Sequence, residues 1–170
     1  MKDSVYTKVG KFLMKHGNLR ICIVDDQKTY FSDNMVQVAN SAGFKNIERH
    51  FIVDKQLMKT LLENPPDIII LDIKGIAEEE VSKDGFGIAK VLYDNTNTFI
   101  VITSAHKFFL HETHKSYDYM MKERLLTAVD FVEELALIID RYLRSKVRIY
   151  KKMIFRIGFS MVKKAIVHNL

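Results

Sequence analysis

The segment from Pro66 to Asp72, PDIIILD, constrains the fold more than any other part of the chain. Four consecutive apolar residues, Ile68, Ile69, Ile70 and Leu71, stand between two acids. β-Branched side chains pack well on a pleated surface, and a short apolar run without alternation needs cover on both faces. Those are the properties of a central strand in a parallel sheet. Asp72 then falls at the carboxyl end of that strand, the edge at which open α/β sheets bind their ligands.

Three further segments share this design. Leu19 to Asp26 reads LRICIVDD, an apolar run ending in Asp25 and Asp26. Phe99 to Ala105 reads FIVITSA and ends in hydroxyls, Ser104 the last of them; Ser116 to Lys122 reads SYDYMMK and ends in a lysine. Four strands thus bring three carboxylates, a hydroxyl and an ammonium to one edge. Carboxylates gathered in one place repel each other unless a cation joins them. An oxygen-only donor set suits Mg²⁺, which keeps several waters and accepts few protein carboxylates.

Helical periods alternate with these strands. Tyr30, Phe31, Met35, Val38 and Ala42 give one apolar side over about 28–42, and Gly43 is placed to end that helix. A second strand is expected around Asn46 to His50 and a second helix over about Asp54 to Glu63, broken by Asn64, Pro65 and Pro66. Further helices are expected over about Gly87 to Tyr93 and about Leu126 to Leu143. The fold class is therefore α/β, a doubly wound five-stranded parallel sheet of the flavodoxin-like (βα)5 type, followed by a C-terminal helical extension.

In the order of these residues the chain resembles the receiver domain of bacterial response regulators, over roughly residues 19 to 143. Asp25 and Asp26 match the family's acidic pair, and Asp72 the aspartate that takes a phosphoryl group from a phosphohistidine. Ser104, with Ala105 after it, matches the switch hydroxyl; Lys122 matches the lysine that contacts the phosphoryl group, and Tyr119 the switch aromatic. The resemblance implies a Mg²⁺ site made by Asp25, Asp26, Asp72 and the backbone carbonyl of Lys74, with Asp26 the direct ligand of the acidic pair. It also implies a histidine kinase or phosphotransfer protein as partner, and a switch with a self-catalysed step rather than a turnover enzyme. Three features depart from the family pattern. The loop after Asp72 is longer and carries Glu78, Glu79 and Glu80, which read as a solvated acidic loop; the stretch between Ser104 and Tyr119 is shorter; and Glu123 stands where the family has a proline.

The chain has 170 residues and a net charge of +5, but the charge is segregated. Arg141 to Leu170 holds nine Lys/Arg and no acid, whereas residues 21–140 hold 20 acidic against 12 basic residues. The basic character belongs to the ends and not to the receiver-like part. Residues 1–18 read as an arm with a short amphipathic helix, and 144–170 as a basic amphipathic extension. Ile149, Ile154, Phe155, Ile157, Phe159 and Met161 would leave a large apolar patch on a solvated helix, so a homodimer through the last receiver helix and this extension is expected. No helix-turn-helix module fits in so few residues. No apolar run is long enough for a transmembrane helix and no signal peptide is visible, which reads as cytoplasmic. His106, His111 and His114 read as surface histidines, because a zinc site needs more ligands than that segment offers. Two other functions compete with the phosphoacceptor reading. One is a receiver-like interaction module that works without phosphorylation, and the other is a nucleic-acid or membrane-surface binder acting through the basic tail.

Overall fold

The computed structural model describes residues 17–103, 116–121 and 127–146. The expected N-terminal arm up to residue 16, Ser104, the three histidines, Lys122 and the extension beyond residue 146 lie outside the described residues.

Five short strands form one sheet: β1 Ile21–Val24, β2 Ile47–His50, β3 Ile68–Asp72, β4 Phe99–Thr103 and β5 Tyr119–Met120. Every pairing is parallel and the order is β2-β1-β3-β4-β5. β3 is central, with Ile21 to Val24 of β1 beside Ile68 to Leu71 on one edge and Phe99 to Thr103 of β4 beside Ile68 to Asp72 on the other. Ile68, Ile69, Ile70 and Leu71 are completely buried, as an unalternated run requires. A parallel order that runs outward from β1 in both directions has its switch point between β1 and β3, where a crevice opens at the carboxyl ends.

Three helices connect the strands: α1 Asp33–Ala42, α2 Lys55–Glu63 and α3 Gly85–Asn95. Each starts on a side-chain oxygen that satisfies an orphan N–H of the first turn. Ser32 accepts from Met35, Asp54 from Leu57 and Asp84 from Gly87. Gly43 ends α1 in the left-handed region, at φ 114°, which a residue with a Cβ adopts at a cost. α1 starts five residues later than its periodicity suggests. Ser32 is the cap, and Tyr30 N–H closes a turn onto the Gln27 carbonyl, so residues 25–32 form a loop and not a first helical turn.

The chain divides into two compact units, Met1–Ala136 and Leu137–Leu170. The first unit holds the sheet and α1 to α3, and ends in helical residues 128–136, where Phe131 meets Phe31 edge to face at 5.5 Å. In the second unit residues 137–146 are helical, Arg144 pairs with Asp140, and Lys146 lies over the Tyr142 ring. Among the described residues no helix is long and apolar enough to cross a membrane.

The long loop after β3 is only partly the solvated acidic loop expected from sequence. Glu78, Glu79 and Glu80 are exposed, and Glu80 pairs with Lys55. The loop's apolar residues are not exposed: Ile73 and Ile76 are buried in the core with Val53, Leu61 and Phe86. Val53 and Ala77 form a parallel bridge, with Val53 N–H donating to Ile76 at 2.6 Å and Glu78 N–H to Val53 at 3.2 Å. Because β1 lies between β2 and β3, segments that leave those two strands pair across the carboxyl end of β1. The insertion is thus tied to the segment that follows β2. Ile76→Ala is expected to lower stability by about 2–4 kcal/mol in urea unfolding, the cost of an aliphatic core truncation. A loss below about 0.5 kcal/mol, as for a surface position, would show the insertion to be a solvated loop after all.

Candidate functional site

The acids come together through strand geometry. β1 ends at Val24, and its pairing with β2 continues one residue further, as Asp25 N–H donates to the His50 carbonyl at 3.1 Å. That bond fixes Asp25 at the carboxyl end of β1, and its carboxylate Oδ1 accepts from Gln27 N–H at 2.8 Å. Asp26 follows on the exposed side. On the neighbouring strand Asp72 is the last residue of β3, half-buried, with Thr103 as its register partner on β4. One carboxylate oxygen from each of Asp25, Asp26 and Asp72 lies within 4.8 Å of the others.

Two glycines allow the loops to approach this closely. Gly75 has φ +72°, and a Cβ there would run into the Asp26 carboxylate. At Gly85 a Cβ would strike the backbone carbonyl of Asp72, while Gly85 N–H donates to the Ile73 carbonyl at 2.8 Å. The start of α3 therefore braces the end of β3 and fixes where Asp72 emerges.

Asp25 is only 4% exposed. Burial is the main cause that pushes its carboxyl up to about 6, with the charges of Asp72 and Asp26 adding to it; the Gln27 N–H and the Arg49 charge pull the other way. The acidic neighbours thus add to an increase that burial causes in the first place. The donor set is all oxygen, anionic and compact, which fits a hard divalent cation such as Mg²⁺ and does not suit a soft metal.

The structure joins three of the sequence-derived site residues, Asp25, Asp26 and Asp72, and sets Lys74 on the exposed loop two residues past Asp72. Tyr119 lies buried on β5 beside Val101. Ser104 and Lys122, outside the described residues, directly follow Thr103 and Met121; Met121 N–H donates to the Ile102 carbonyl at 2.9 Å. Sequence reasoning overlooked Arg49. The signal available was a cation in a short strand that runs beside the acid-bearing one, within a segment, NIERHF, read only for its strand character.

No protein-family model and no curated protein matches the chain. Solved structures do. The response regulatory domain of protein mrkE from Klebsiella pneumoniae is 22% identical, with a TM-score of 0.54, covering 74% of this chain and 99% of its own. A two component transcriptional regulator AraC from Clostridium phytofermentans ISDg is 18% identical, with a TM-score of 0.53 over 77% of this chain and 99% of its own. The receiver domain of NtrX from Brucella abortus, also 18% identical, has a TM-score of 0.51 over 73% of this chain and 98% of its own. With its five parallel strands in the order β2-β1-β3-β4-β5 and acids at the ends of β1 and β3, the chain has the fold of a response-regulator receiver domain.

Proposed function

We propose that residues 19–143 act as a phosphoacceptor receiver in two-component signalling, taking a phosphoryl group from a histidine kinase or phosphotransfer protein onto Asp72. The observation that carries this reading is the three-carboxylate cluster at the switch point between β1 and β3. An Asp72 carboxylate oxygen attacks phosphorus in line, the P–N bond to the donor imidazole breaks, and its electron pair returns to the ring nitrogen. The protein's task is positioning and charge neutralisation, because phosphoryl transfer asks for little covalent chemistry from its surroundings. Asp25, Asp26, Asp72 and the backbone carbonyl of Lys74 would hold Mg²⁺, which would supply positive charge against the anionic phosphoryl group.

By the same resemblance Lys122 neutralises a peripheral phosphoryl oxygen and Ser104 hydrogen-bonds another after transfer. Movement of Ser104 toward the phosphoryl group then frees space for Tyr119, which shifts a two-state surface toward partners. The domain is a cytoplasmic switch that signals through protein contacts, and the last receiver helix with the basic extension pairs two copies of the chain.

Acetyl phosphate with Mg²⁺ tests the reading against a phosphorylation-independent module. Intact-mass analysis is expected to show a single added phosphoryl group that hydroxylamine removes and that chelation of Mg²⁺ prevents. A chain that stays unlabelled by both a small phosphodonor and a histidine kinase would favour the module.

A further inference from the structure

The insertion after β3 is tied down at three places, and two of the ties touch residues of the carboxylate cluster. Near its start, Gly75 packs so tightly on Asp26 that a Cβ there would run into the carboxylate. At its end, Gly85 N–H donates to the Ile73 carbonyl, and a Cβ at Gly85 would strike the Asp72 carbonyl. Between them stands the parallel bridge of Ala77 with Val53, closed by Val53 N–H on the Ile76 carbonyl at 2.6 Å and Glu78 N–H on the Val53 carbonyl at 3.2 Å. Only Ile76 separates Gly75 from Ala77. The partner segment is anchored at the same cluster, because the His50 carbonyl accepts the Asp25 N–H at 3.1 Å, just before Val53. Phe51 and Ile52, between these two bonds, are exposed, so burial of their side chains does not hold the segment. Val53 and Ile76 are completely buried, and hydrogen bonds among buried side chains are stronger than bonds open to water. The backbone thus leads from one side of the bridge to Asp25 and from the other to Asp26 and Asp72.

We propose that the Val53–Ala77 bridge is a clamp that holds residues 74–76 against Asp26 for a divalent cation, so that cation binding and bridge closure favour each other. This inference rests on reading the cluster as a divalent-cation site. Carboxylates gathered without a cation repel each other, and a frame that keeps them gathered removes part of the ordering cost from the binding step. With the bridge open, the Lys74 carbonyl and the Gly75 contact with Asp26 are no longer fixed from the Ala77 side, and the loop must be ordered as the ion binds. The coupling is reciprocal: an ion that binds better to the closed bridge closes it by the same factor. Val53 and Glu78 act through the loop backbone and are positioning residues.

Calorimetric titration of the full chain with Mg²⁺, with amide exchange followed by NMR, tests the proposal. Glu78→Pro removes the N–H that closes one side of the bridge; Ala77 before it is already extended, as a residue before proline prefers. Glu78→Ala loses the same exposed carboxylate but keeps the N–H. The proline variant is expected to bind Mg²⁺ at least about fivefold more weakly than the alanine variant, the lower end of ordinary coupling between sites. In the wild type, saturating Mg²⁺ should slow exchange of the Val53 and Glu78 amides by a similar factor. It should leave unchanged the amide of Thr96 at the end of α3, which donates to the Leu92 carbonyl. This second measurement needs no variant and serves if the proline variant does not fold. Equal Mg²⁺ affinities of the two folded variants, or bridge amides that slow no more than that of Thr96, overturn the clamp and leave the bridge a packing feature of the insertion. Absence of Mg²⁺ binding by the wild type overturns the cation-site reading itself, and the clamp with it.

Discussion

Asp72→Asn is expected to abolish labelling by acetyl phosphate or by a histidine kinase, to below about one hundredth of the wild-type rate, while the chain remains folded. The two side chains have nearly the same shape, but the amide has no anionic oxygen to attack phosphorus, so the nucleophile is lost and the packing is kept. Asp72 is half-buried at the end of a strand whose other four residues are fully buried, and its backbone is held in the sheet beside Thr103. Removing the side-chain charge also takes one anion from the cluster, so the variant should unfold at the same or a slightly higher temperature than wild type without Mg²⁺. Intact-mass labelling with a thermal melt measures both. Persistent labelling would place the acceptor on another residue, and a collapse in melting temperature would show that the charge serves the fold.

How legible the site was in the sequence depended on whether its parts are set locally. PDIIILD announced β3 because an unalternated β-branched run has few other structures open to it, and the four apolar residues are indeed fully buried. Strand ends then located Asp25, Asp26 and Asp72, since the residue that follows a buried run must leave the sheet at its edge. The start of α1 was misplaced because Tyr30 and Phe31 fit a helical period. Phe31 is buried for another reason, packing against Phe131 from far along the chain. The Val53–Ala77 bridge carried no local signal at all: it joins residues from two different loops and exists only once β2 and β3 flank β1. Ile76 stands just before the acidic run Glu78, Glu79 and Glu80, and its burial follows from that distant partner.

Asp25→Asn is expected to stabilise the chain at pH 7 without Mg²⁺ and to remove most of the stabilisation that Mg²⁺ gives to the wild type. The Asp25 carboxyl is held near 6 in the folded chain, chiefly by burial and then by its acidic neighbours, against about 3.9 when unfolded. Between those values the folded chain binds more protons than the unfolded one, so the contribution of this group to stability falls as pH rises. It is fully present below pH 4, is lost as pH passes through about 6, and stays lost above that. The cost at pH 7 is on the order of 2 kcal/mol once solvent screening is allowed for. Asn is neutral throughout and can still accept the Gln27 N–H, so it avoids that cost while keeping the loop's hydrogen bond. The wild type and the variant should therefore be equally stable near pH 4 and diverge toward pH 7. Millimolar Mg²⁺ should close that gap by binding the folded wild type, since an ion that binds only the folded state adds stability by mass action. Urea unfolding of both proteins at pH 4 and pH 7, with and without Mg²⁺, gives the four differences. A gap that does not change with pH would show that neither burial nor the neighbouring acids raise the carboxyl at position 25. Equal Mg²⁺ stabilisation of the two proteins would place the ion away from Asp25.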